Sequence, residues 1–377
     1  MSDPLRLGVV RVYRDEDWPS MDLVADQLLA YLPRTHDIVA TDIAPPFRRV
    51  FGSLPFVGSR RAAFNADRLI NRYHRLLKNL RRLRGEHDWF HIADHSYAMA
   101  AHALPPGRVG VFCHDLDAFR CVLEPDRDPR PWWFRKISQR ILDGLRSAAV
   151  VFHSTRAVRE QLLHFGLVPE ERLVAAPYGV SEGYTPGPSN AAHEPFLLHV
   201  GSAIPRKRLD VLLHVFAGVR MQFPGLRLVQ IGGTWTHAME EQIARLGLAN
   251  AIEQRRGLTR SELANYYRGA SLVMVTSEAE GFGLPVIEAL ACGAPVLASD
   301  LPVLREVGSE AVMYRAVGDI PSWVEAAKCV LDDAAVAPPR ELRLHQASLY
   351  TWQAHARTIG ETYLRLEQIR RSSGAAP

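Results

Sequence analysis

The sequence predicts two α/β domains, each a parallel sheet with helices on both faces, and three observations carry that reading. Short apolar runs alternate with amphipathic helical patterns along most of the 377 residues. The alternation stops once, at 184–195, where YTPGPSNAAHEP has three prolines and no periodicity, and then restarts. At roughly 150 residues per domain, the length also suits two domains.

In the first half the strand-like runs are 5–10, 37–41, 89–92, 109–113, 148–153 and 173–176. Most are continuously apolar rather than alternating, as expected of strands covered on both faces. Helical patterns fall at 21–31, 135–145 and 155–165. After the break, strands are expected at 196–200, 226–231, 272–276, 295–298 and 312–314, with helices at 209–221, 238–246, 260–268 and 285–292. A last helix over about 340–370 precedes a polar tail. The expected domains are 1–185, 186–345 and a terminal helix with its tail, 346–377. Ligands of such sheets sit beyond the carboxyl ends of the strands, so a cleft between two facing domains is the expected binding place.

Composition narrows the function. Hydrophobic residues are 47% and charged residues 23%, ordinary for a folded chain. No run approaches the roughly 20 apolar residues of a membrane span, and the N-terminus turns charged early without a cleavage-site pattern. Cys113, Cys121, Cys292 and Cys329 form no CxxC pair, which argues against a disulfide framework or zinc ribbon and for a reducing, cytoplasmic setting.

The net charge of +4 is unevenly spread: 48–84 holds eleven Arg and Lys against one acid, Asp67. Within it Leu69, Tyr73, Leu76, Leu80 and Leu83 form one helical stripe flanked by Arg68, Arg72, Arg75 and Arg82. Such a helix either packs its stripe on its own domain or offers an anionic membrane surface a basic face, which would make the protein peripheral on the inner membrane. Aromatic residues do not interleave with the charges, so nucleic acid is not the expected partner.

The most informative stretch is 277–300, SEAEGFGLPVIEALACGAPVLASD. A strand runs into a Gly-rich turn, and Pro285 marks a helix start, where its missing N–H is no loss. Backbone amides at Gly283 and Leu284 would open a positive helix end toward an anion, and Gly281 and Gly283 let a ligand approach the backbone. Glu280 precedes the turn and Glu288 lies one helical turn in. Two carboxylates flanking a phosphate-friendly turn suit a ligand carrying both hydroxyls and phosphates. The alternative, a dinucleotide fingerprint, lacks its third glycine, since Val286 stands there.

The run from Glu280 to Gly293, EGFGLPVIEALACG, resembles the E-x7-E signature of the retaining glycosyltransferases of family 4 (glycosyl transferases group 1), which have the GT-B fold. The resemblance implies transfer of a hexose from a nucleotide diphosphate sugar to an acceptor hydroxyl, in glycan, polysaccharide or glycolipid synthesis, with no essential metal or other cofactor. It implies that Glu280 and the amides of Gly281, Phe282, Gly283 and Leu284 hold the donor sugar and Glu288 the ribose. It also implies that the last helix crosses back to the first domain.

A second element, LHVGSAIPRKRL, places Gly201 after a strand and Arg206 and Lys207 before a helix. Cations there can neutralise a departing diphosphate, and the spacing is similar to the family's diphosphate clamp. Many members have arginine directly after that glycine; Ser202 stands here. Gly257 and Leu258 correspond to the loop beside the nucleobase, and Trp352 to the closing helix.

In the first half the family's Gly-rich loop is replaced by 15–22, DEDWPSMD. His114, at the end of strand 109–113, matches the place where relatives set a histidine beside the donor sugar. Asp115-Leu-Asp117 spells a DxD triplet and His91, Asp94 and His95 lie close in sequence, but neither has the context of a metal site. An epimerase on the same scaffold and a non-catalytic sugar-nucleotide-binding module are the alternative functions.

Overall fold

The computed structural model describes residues 3–53, 60–189 and 194–373. The chain forms two compact units, one of Met1–Pro177 with Trp352–Pro377 and one of Tyr178–Thr351. The first unit has six parallel strands: β1 (Leu5–Val10), β2 (Ile38–Ile43), β3 (Trp89–Ile92), β4 (Val109–Cys113), β5 (Val150–His153) and β6 (Leu173–Ala175). They lie in the order β2-β1-β3-β4-β5-β6. The second unit has β7 (Phe196–Gly201), β8 (Arg227–Gly232), β9 (Ile252–Arg255), β10 (Leu272–Val275), β11 (Val296–Ser299) and β12 (Met313–Arg315), in the order β12-β11-β10-β7-β8-β9.

In the second unit the strand order reverses between β7 and β10, the topological switch point at which doubly wound sheets bind ligands. Alternate residues of its strands enter different cores. Leu198 and Val273 face one, and Leu197, Leu272 and Met274 the other. Both faces are therefore covered, which is why the strands read as unbroken apolar runs. β9 was absent from the sequence reading because its residues, IEQR, are half-buried or exposed on an edge.

The expected single helix over 340–370 is two. Arg340–Ser348 ends within the second unit, and Trp352–Ser372 belongs to the first. Between them the chain is extended, with Val180 donating to the Tyr350 carbonyl and Thr351 bridging to Val180. On Trp352–Ser372 the buried Trp352, Ala356, Ile359, Tyr363 and Glu367 recur every three or four residues. Tyr363 bonds His91 Nδ1 at 2.9 Å, and Trp89 Nε1 donates to Glu367 at 3.1 Å.

Of the expected linker 184–195, residues 190–193 lie outside the described residues. The part before them is fixed: Tyr184 is buried, Arg268 donates to the carbonyls of Gly183 and Thr185, and Ser189 bonds the Asn265 carbonyl. Residues 374–377 of the tail are also outside.

The basic stretch 48–84, of which 54–59 lie outside the described residues, departs from a plain amphipathic helix. A π turn, Asn71–Leu76, separates the helices Arg60–Ile70 and Leu77–Leu83. The extra residue per turn rotates the stripe. Leu76, Leu77 and Leu80 enter the core, whereas Leu69 is 39% exposed and Asp67 and Asn71 are buried in its place. The Asp67 carboxylate accepts the amides of Val50, Phe51 and Gly52, tying the preceding loop to the helix. Arg72 is not a surface cation. It is buried against Glu16, with its guanidinium 4.2 Å over the Tyr97 ring.

The helix Trp132–Arg146 packs closely on the segment His95–Ala103, where a Cβ on Gly144 would overlap the Ala98 carbonyl. Gly144→Ala gains roughly 1 kcal/mol of helix propensity. It loses more to overpacking, so a net destabilisation of about 2 kcal/mol is expected from urea unfolding. A more stable variant would contradict this packing.

Candidate active site

The chain leaves β7 at Gly201, turns through Pro205–Lys207, and enters the helix Leu209–Arg220 through Arg208, whose φ is 48°. A second loop leaves β10 and reaches the helix Leu284–Ala291. Because β7 and β10 are neighbours, the two loops meet and are stitched together. Glu278 donates its amide to the Arg206 carbonyl at 2.8 Å, Thr276 Oγ1 bonds the Lys207 carbonyl at 2.9 Å, and Arg206 donates to the Ala279 carbonyl at 3.2 Å.

The centre of this junction is an ion pair. Lys207 Nζ lies 2.6 Å from Glu280 Oε1, which also accepts from Ser277 Oγ at 2.7 Å. Arg206 stands 3.9 Å from Oε2. Side-chain exposure is 12% for Lys207 and 6% for Glu280. Burial disfavours the ionised Glu280, but Lys207, Ser277 and Arg206 outweigh it and hold the carboxyl below its usual pKa. Two cations thus face one carboxylate. The third, Arg208, turns to Asp210 and Glu278 instead.

Gly283 caps the helix Leu284–Ala291 with φ 99°, and a Cβ there would lie 2.7 Å from Leu304. Only glycine fits both demands. Pro285 occupies the second helical position rather than the first. The first amides of a helix have no intrahelical acceptor, so this end is suited to an anion. Phe282 is buried edge-on against Tyr178 and Tyr350 at 4.8 and 5.6 Å, which fixes the loop.

Glu288, one turn along, is buried and accepts from Tyr267 Oη at 3.0 Å. Burial pushes its pKa up to about 7, against the Tyr267 hydrogen bond and the charge of Arg260. Gly201 lies close to Lys207, since a Cβ on it would be 3.6 Å from Cε, and Ser202 is exposed beside it. Gly257, with φ 65°, and Leu258, which packs on the core that holds Val286, are on the loop after the edge strand β9.

Sequence reasoning missed three polar residues here. Ser277 and Tyr267 hold the two glutamates, and nothing in their spacing marks them. His199, the one polar residue of LLHVG, was visible as such. It is buried between the loops, its Nδ1 has no partner, and burial and then Lys207 lower its pKa to about 3, so its ring is neutral.

In the first unit His114 follows β4 and is buried. Its Nε2 donates to the Ala93 carbonyl at 2.8 Å and its amide to His95 Nδ1 at 3.2 Å. Burial lowers its pKa although Asp94 and Asp115 oppose this, so the ring is neutral with Nε2 committed. His91 points into the core toward Tyr363, away from any shared site with Asp94 and His95. Among the described residues no group of three or more His, Cys, Asp or Glu is placed to hold a metal ion. In place of a Gly-rich loop, a short turn Arg14–Glu16 buries Glu16 under Tyr97 and Arg72.

Two parallel six-stranded sheets wound by helices, with phosphate-suited loops at a switch point, define the GT-B type of α/β protein. Residues 187–341 match the family described as glycosyl transferases group 1. The chain is 29% identical over 256 residues to a D-inositol 3-phosphate glycosyltransferase of Kineococcus radiotolerans, covering 59% of each. It is 31% identical over 216 residues to that of Mycolicibacterium smegmatis, covering 53% of this chain and 49% of the relative. The matches thus span only about half to three-fifths of these relatives. Sucrose-phosphate synthase from Thermosynechococcus elongatus has a similar fold, with TM-score 0.74 at 18% identity over 97% of this chain and 100% of that one. So has Anabaena HepE in complex with UDP-glucose, with TM-score 0.69 at 15% identity over 97% and 99%.

The raised Glu288 pKa has a thermodynamic consequence. A carboxyl at about 7 when folded and near 4.5 when unfolded retains its proton in the native state between those values. Its contribution is fully present below the unfolded pKa and is lost as pH rises to about 7, by roughly 3 kcal/mol. Urea unfolding at pH 5 and pH 8 should show this loss in the wild type and not in Glu288→Gln. An equal pH dependence in both would contradict it.

Proposed function

We propose that the protein is a retaining glycosyltransferase that moves a hexose from a nucleoside diphosphate sugar to an acceptor hydroxyl, in glycan, polysaccharide or glycolipid synthesis. The observation that carries this is the pairing of Lys207 and Arg206 with the buried Glu280 at the β7–β10 switch point. The group 1 family match and the relatives' name support it.

In this reading the diphosphate lies against Arg206, Lys207 and the helix end at Leu284. These groups face the charge that develops as the glycosidic bond to phosphate breaks, and they are in place beforehand. Glu280, ionised and acceptor-only, accepts hydrogen bonds from hydroxyls of the sugar and so fixes the anomeric carbon. Glu288 receives the ribose, and Gly257 and Leu258 the base. Retention follows from attack on the face the phosphate leaves, with a departing phosphate oxygen taking the acceptor's proton. The two cations supply the charge that the diphosphate needs, so turnover is expected to be indifferent to EDTA.

Uridine diphosphate sugars are the first donors to test, because HepE is bound to UDP-glucose, and inositol phosphate the first acceptor, from the relatives' name. A bound donor at a hundred times its Kd stabilises the native state by about 2.7 kcal/mol, read as a rise in Tm. No rise with any sugar nucleotide would overturn the proposal. Labelled donor without acceptor separates transfer from epimerisation, and binding without turnover on an acceptor panel would indicate a non-catalytic module.

Lys207→Gln keeps a hydrogen-bonding group beside Glu280 and removes the charge. It should lower kcat about a hundredfold or more while the fold persists. Near-normal kcat would remove Lys207 from the clamp.

A further inference from the structure

The helix Trp132–Arg146 is anchored at one end and bare at the other. Ile141, Leu142, Gly144 and Leu145 are buried, whereas Trp132 is 70% exposed and Trp133 50% exposed. Two adjacent indoles in water leave a large apolar area uncovered, on a helix whose other end is fixed in the core. Trp132, Lys136 and Arg140 recur every four residues and form one stripe, with the Lys136 ammonium 5.2 Å from the Trp132 ring centre.

Charge gives the patch a sign. Arg135, Lys136 and Arg140 have no carboxylate within ion-pair distance among the described residues. Of the acids upstream, Glu124 is paired with Arg127 at 2.5 Å and Asp128 with Arg130 at 2.8 Å. Burial raises the pKa of the Tyr73 hydroxyl against the charges of Arg72, Arg140 and Arg68, which places Arg140 within electrostatic reach of the Asn71–Leu76 turn.

We propose that this helix start is an interfacial anchor: Trp132 and Trp133 enter the headgroup layer of an anionic bilayer while Arg135, Lys136 and Arg140 lie against its phosphates. Tryptophan with its polar edge outward is the residue suited to that depth, and neighbouring cations attract anionic lipid. A lipid headgroup layer also fits better than a protein partner. Long cationic side chains keep their heads hydrated at a membrane surface, whereas a protein covering Trp132 would strip water from Lys136 beside it. The membrane surface is thereby assigned to the Trp132 turn and not to the leucine stripe of 60–83, whose C-terminal half is in the core. Among the described residues no helix is long and apolar enough to cross a membrane, so contact of this kind would be peripheral.

The test is co-sedimentation of the full chain with phosphatidylcholine vesicles, with and without about 30% phosphatidylglycerol, at two salt concentrations. Wild type should bind the anionic vesicles, and binding should weaken as salt rises. Trp132→Ala/Trp133→Ala should bind at least about tenfold more weakly. Replacing Arg135, Lys136 and Arg140 by Gln should cost about fivefold per charge. Both variants should keep the wild-type Tm and its response to sugar nucleotides, which separates this result from the fate of the donor site. Wild type that ignores anionic vesicles, or a double-Ala variant that binds like wild type, would overturn the proposal. So would Trp-dependent self-association in place of lipid binding.

Discussion

The Lys207–Glu280 contact is the constraint on which the second unit's chemistry depends. Burying a carboxylate costs several kcal/mol unless cations and hydrogen bonds answer it. Here Lys207, Ser277 and Arg206 do so, all from loops that the strand order forces together. The pair fixes the loop after β7 against the loop after β10 and leaves positive charge over. The junction is therefore ordered by its own electrostatics yet remains attractive to an anion. The Gly283 cap adds the helix end to the same place.

The two units use burial differently. In the second, the loops after β7 and β10 hold the ionised Lys207–Glu280 pair beside the neutral His199. In the first, the strand ends carry neutral imidazoles: His91, with a pKa of about 3 through burial, and His114. They are packed among Phe112, Phe152 and Tyr363, with the carboxylates of Asp94 and Asp115 facing His114. That unit also holds the buried Glu16–Arg72 pair and its basic helices.

Much of the fold was legible, for a physical reason. A strand covered on both faces must be apolar throughout, so β1, β3 and β4 stand out at their observed bounds. An edge strand has no such demand, and IEQR gives no sign. The interruption at Leu349–Thr351 is set by pairing with Val180, a partner some 170 residues away, which no local pattern encodes. The π turn at Asn71–Leu76 is likewise invisible, because its apolar residues keep helical spacing while the backbone does not. In the site, Glu280, Lys207 and Gly283 were visible because special backbone or charge demands restrict residue choice there. Tyr267 was not, since any residue placing a hydroxyl on Glu288 would serve.

The most direct measurement is a crystal structure with a nucleoside diphosphate sugar bound. The account predicts phosphate oxygens within hydrogen-bond distance of Lys207 Nζ and the Arg206 guanidinium, with a sugar hydroxyl on Glu280. A sugar nucleotide seated elsewhere, with the Lys207–Glu280 contact untouched, would contradict it.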